Sequence, residues 1–164
     1  MVRWLAAAGI IAAGLLVGRG GTAVVHAERG SPVPCPGTPT SSATTPPSSI
    51  DPSIRPAGMD WLWYGNIYLW TQLPPGSVVR VPRGGALKVP WWRMVAGRLT
   101  ITGYPVGARK PHLSARIPAG YGDIDFQSTG ITFPKYGCWR VTGHLQGHNL
   151  SFVLKVVRGT PQRP

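Results

Sequence analysis

The stretch "CWRVTGHLQGHNLSFVLKVV", residues 138–157, folds back on itself in one reading only. Its first half alternates, with Trp139, Val141 and Gly143 on one face of an extended strand and Cys138, Arg140 and Thr142 on the other. "QGHN" (146–149) supplies Gly147 and Asn149, residues that tolerate positive φ, so it reads as a hairpin turn, and 150–157 is the returning strand.

Working outward, further short apolar segments bounded by Gly and Pro read as strands at 61–73 (interrupted near Gly65 and Asn66), 77–81, 86–89, 98–102, 113–117 and 131–133. In "RLTITG" (98–103), Leu99 and Ile101 share a face opposite Arg98, Thr100 and Thr102. The 22 glycines and 18 prolines in 164 residues break long helices and suit strands joined by tight turns. With 43% hydrophobic residues the chain has material for one packed core. The expectation is an all-β, two-sheet β-sandwich over 58–158, followed by a disordered tail at 159–164.

Residues 1–27 are of another kind: Arg3, then an apolar run over 5–17, then small residues up to Ala27. That is the pattern of a secretory signal peptide, and the run is shorter than the roughly 20 residues a membrane-spanning helix needs. Residues 28–57 are rich in Pro, Ser and Thr without apolar periodicity, and read as an extended, largely unpacked spacer that nevertheless contains Cys35.

Seventeen Lys and Arg face five Asp and Glu, a formal charge of +12. Such a balance favours anionic partners: membrane lipid, wall polymer or acidic polysaccharide. Arg80, Arg83, Lys88, Arg93, Arg109 and Lys110 crowd the middle of the chain and are the candidate anionic-surface residues. The cations form no long run, and specific nucleic-acid binding is not expected. Adjacent tryptophans in a strand point to opposite faces, so Trp91 and Trp92 are candidates for an exposed aromatic platform beside Arg93.

His144 and His148 stand four apart, but on a hairpin and without nearby acidic residues, and Asp123 and Asp125 lack the oxygen ligands a hard cation needs. No metal and no cofactor are expected. The segment "YGCWR" (136–140) resembles the GC-x-R core of the L,D-transpeptidases, secreted cysteine enzymes that crosslink wall peptides. The resemblance implies Cys138 as nucleophile. Tyr136 stands where that family commonly has a histidine, and His112 is followed by Leu113 where the upstream histidine has a glycine beside it. A thiolate needs a base within reach, so a non-enzymatic role is the preferred expectation.

"WYGN", "LKVPWWR", "GRLTITG", "IPAGYGDIDFQSTGITFP", "GCWRVTG" and the "CPGT" at Cys35 resemble, in order, an uncharacterised family of exported bacterial domains. That resemblance implies an immunoglobulin-like sandwich behind a signal peptide, and it brings no catalytic residue. Export, an even cysteine count and the lack of a third thiol point to a Cys35–Cys138 disulfide, against free thiols, an intermolecular bridge or a reactive Cys138.

Overall fold

The computed structural model describes residues 34–41, 44–51, 53 and 60–159. The signal read at 1–27, the rest of the spacer and the tail from 160 lie outside the described residues. Among those described, nine strands form: β1 (Leu62–Gly65), β2 (Leu69–Leu73), β3 (Val78–Val81), β4 (Ala86–Arg93), β5 (Thr100–Pro105), β6 (Ser114–Arg116), β7 (Asp125–Thr132), β8 (Gly137–Leu145) and β9 (His148–Arg158). They make two sheets, β1-β2-β4-β7-β6 and β3-β9-β8-β5. Every pair is antiparallel except β3 with β9. The orders β2-β4-β7-β6 and β5-β8-β9 are the A-B-E-D and C-F-G orders of an immunoglobulin sandwich, with β1 added at one edge.

Local chemistry explains the turns. Asn66 Oδ1 accepts from the backbone N–H of Tyr68 and Leu69 at 2.9 and 3.0 Å, which breaks the first apolar run into β1 and β2. The β8–β9 hairpin turns on Gln146 and Gly147, both at positive φ (48° and 80°), as a two-residue loop of this kind requires. Asn149, a residue type suited to positive φ, instead pairs with His144 inside the ladder.

Two strands are longer than their hydropathy suggests. β7 begins at Asp125 and not at 131, because its inward positions include Gln127 and Thr129, polar residues that are nonetheless buried. Thr129 Oγ1 donates to Val89 O at 3.2 Å and accepts from Trp91 Nε1 at 3.1 Å, so its hydroxyl is satisfied inside the core. β4 runs through Pro90 to Arg93; pairing with β2 stops at Thr71↔Trp91, next to the proline.

The core lies between the sheets, around Trp91, Trp139 and Phe152. Trp91 on β4 reaches across to Gly143 on β8, the two strands that antibody domains join with an inter-sheet disulfide. A Cβ at Gly143 would sit 2.6 Å from the Trp91 ring. Gly143→Ala is therefore expected to destabilise the domain by roughly 1–3 kcal/mol through overpacking, read as a lower urea midpoint at unchanged slope.

The described part of the spacer is docked at particular points, with Pro46 and Ile50 buried and its other described residues exposed or half-buried. Cys35 is bonded to Cys138 with Cα atoms 5.4 Å apart. Thr38 donates its N–H to Val153 O, accepts the Val153 N–H on Oγ1 at 2.7 Å, and accepts Ser77 Oγ on its carbonyl. This strap crosses β9 and covers Val153 on the outward side of its sheet. Ile50 is buried on the outer face of the other sheet, in a second cluster with Trp63, Trp70 and Trp92. Hydrogen bonds and apolar burial together offset the ordering cost that composition alone had seemed to forbid. At the other end, Gly159 donates to Val81 O at 3.0 Å, so order continues one residue past the expected boundary.

Candidate anion-binding site

The six cations that cluster in sequence do not cluster in space. Arg80 is exposed on β3, Lys88 on β4, and Arg109 and Lys110 on the segment after β5. Arg109 and Arg140 line a hollow of about 320 Å³ with Tyr104. Arg93 is a correction: it is 3% exposed, closed in by its own carbonyl cage. Its guanidinium donates to the carbonyls of Gly97 (3.0 Å), Gly122, Ile124 (3.2 Å) and Asp125 (3.4 Å). Burial pulls its pKa below the usual guanidinium value, and the charges of Asp123 and Asp125 oppose that shift.

Arg83 is the one of the six that joins two further cations at a cleft among the described residues. The cleft, about 340 Å³, lies where the β3–β4 turn, the β7–β8 connection and the end of β9 meet, and Arg83, Lys135 and Arg158 stand around it. Val81, Phe133 and Val156 give it an apolar floor, and Tyr136 stands exposed at its rim. No carboxylate is among its described lining residues. Each cation is held by backbone structure. Gly85 N donates to Pro82 O to close the turn that carries Arg83. Trp139 Nε1 donates to Lys135 O at 3.0 Å, and Arg158 pairs with Val81 in the parallel ladder. Lys135 and Arg158 escaped the sequence reading because the cleft depends on β3 lying beside the last strand, a long-range parallel pairing that has no local signature.

Trp91 and Trp92 are not a surface platform. Trp91 is fully buried in the main core, and Trp92 is 4% exposed beneath Ile50, edge-on to Trp63 at 4.6 Å. The pleat does send the two rings to opposite faces, but both faces are covered. Exposed aromatic surface lies further along, at Phe126 and Tyr121, whose rings meet edge to face at 5.7 Å.

The remaining candidates are held by the fold. His144 sits between Thr102 Oγ1 (2.8 Å from Nε2) and Asn149 Oδ1 (2.7 Å from Nδ1), and His148 stacks on Tyr68. Asp123 and Asp125 contribute backbone carbonyls to Gly97 and Arg93. Among the described residues no three His, Cys, Asp or Glu stand together as a metal site. Cys138 carries no thiol while it is bonded to Cys35. No known family model, curated protein or solved structure matches the chain.

Proposed function

We propose that this is an exported, non-enzymatic immunoglobulin-like module that attaches to an anionic surface, phospholipid or phosphate-bearing wall polymer, through the Arg83–Lys135–Arg158 cleft. The observation that carries it is the convergence of three cations from three distant segments on an apolar-floored cleft lined by no described acidic residue. An anionic headgroup meets the cations while its apolar neighbour meets Phe133 and Tyr136. Export is supported by the signal-like first 27 residues and by the disulfide, a bond that persists in oxidising compartments. No described helix is long and apolar enough to cross a membrane. The non-enzymatic reading is supported by the state of Cys138, whose sulfur is the one the transpeptidase-like alternative would need as a thiolate.

Sedimentation with phosphatidylglycerol vesicles and titration with teichoic acid at low ionic strength test the reading. Binding is expected to fall with salt, and for the polymer to follow a log–log slope of about −2 to −3 for three neutralised phosphates. Replacing Arg83, Lys135 and Arg158 by serine together should remove most of that slope and weaken binding at least tenfold with the melting temperature retained. Equal binding by this variant, or none by the native protein at low salt, would overturn the cleft as the site. Crosslinking of wall peptides that Cys138→Ser abolishes would overturn the non-enzymatic reading.

A further inference from the structure

Gly130 is a glycine the fold does not require. It lies within β7 outside the left-handed region, and among the described residues a Cβ built on it would meet nothing nearer than Ala86 Cβ, at 3.8 Å. Gly65, Gly103 and Gly143 differ, because there a Cβ would collide with a Trp70 ring, with Leu113 and a backbone carbonyl, or with Trp91. A strand glycine with open space above it weakens the sheet and marks a place where something else approaches the backbone closely.

What flanks that space is specific. Lys88 on β4 and Arg116 on β6 are both in register with Gly130, so all three face outward side by side. Two strand spacings set the cations about 10 Å apart at their backbones, with the glycine between them. The groove over them is about 480 Å³ and offers the hydroxyl residues Ser114, Ser128 and Thr132, with no carboxylate among its described lining. Two positions along β7 from Ser128 is Phe126, exposed, in edge contact with Tyr121 on one side and with its register partner Trp92 on β4.

We propose that this outer face binds an acidic polysaccharide, one ring carboxylate seated over Gly130 between Lys88 and Arg116 and a ring about 13 Å further along the same polymer packed on Phe126 and Tyr121. Aromatic surface suits the C–H face of a sugar, the hydroxyls suit its ring oxygens, and the cation pair selects the acid. A nucleic acid would need a basic groove that tracks successive phosphates, and two cations across one glycine do not make one. The site shares no residue with the cleft and does not depend on it.

Calorimetric titration with oligogalacturonate, with its methyl ester and with single-stranded DNA of matched length tests the proposal on the full disulfide-bonded protein. Oligogalacturonate is expected to bind, esterification to weaken it at least tenfold, and Gly130→Val to weaken it at least tenfold while the melting temperature holds or rises. If the valine variant does not fold, Gly130→Ala carries the same test. Lys88→Gln and Arg116→Gln should each lower affinity several-fold, whereas the triple serine variant of the cleft should bind as the native protein does. No binding of the acidic oligosaccharide, equal binding of its ester, affinity indifferent to filling Gly130, or tighter binding of the DNA would each overturn it.

Discussion

Opening the Cys35–Cys138 bond is expected to cost the largest share of stability of any single change in this chain. The bond closes a loop spanning 103 positions, and in the chain-entropy account a loop of that length restricts the unfolded ensemble by about 4–5 kcal/mol, an upper figure. Loss of that order rivals the whole stability of a marginal domain. The strap keeps its other holds after reduction, since Thr38 still exchanges hydrogen bonds with Val153 and Ile50 still fills the second cluster. The paired Cys35→Ser and Cys138→Ser protein is therefore expected to remain folded in the absence of denaturant, with a urea midpoint far below that of the oxidised form. Tryptophan fluorescence across a urea series, with and without reductant, measures the difference.

Arg93→Met should cost about 3–5 kcal/mol, because it removes one charge that satisfies four carbonyls at once. The guanidinium ties the end of β4 to the 97 turn and to the 122–125 segment, and Gly97 N closes the same set by donating to Asp123 O at 2.8 Å. Methionine keeps an unbranched apolar stem but leaves those half-buried carbonyls without their guanidinium donors. Lysine keeps the charge and loses the planar fork, so Arg93→Lys should recover less than half of the deficit. Chemical denaturation gives the magnitude, and faster amide exchange confined first to Gly97 and its neighbours would locate it.

Arg93 also shows where sequence reading stops. Its charge and its place beside two tryptophans suit an exposed residue, and nothing local announces that carbonyls from a loop some 30 residues away will enclose it. The hairpin of β8 and β9 was legible, because its inward residues are apolar and its outward ones, Val153 and Val157 apart, are polar or cysteine. β7 was half hidden for the opposite reason: Thr129 is buried with its hydroxyl bonded to Val89 and Trp91, so alternation persists in space but not in hydropathy. The pairing of the two cysteines was legible from their even number and the signal-like first 27 residues. The cleft was not, since Arg83, Lys135 and Arg158 meet only after β3 has crossed to lie parallel to β9. Composition likewise concealed the docked strap, where single residues, Thr38 and Ile50, do what a run of apolar residues would do elsewhere.

The disulfide also decides how tension would travel through the molecule. A pull on the chain ahead of Cys35, resisted beyond Arg158, passes through the sulfur pair directly into β8 and leaves by β9. All the polypeptide between the two cysteines, seven strands with both faces of the five-stranded sheet, is taken out of the force path. The slack so withheld is roughly 350 Å of extended chain at about 3.4 Å per residue. With the bond closed, the module can lengthen under force only by peeling apart one hairpin; with it reduced, the same pull can unravel the whole domain.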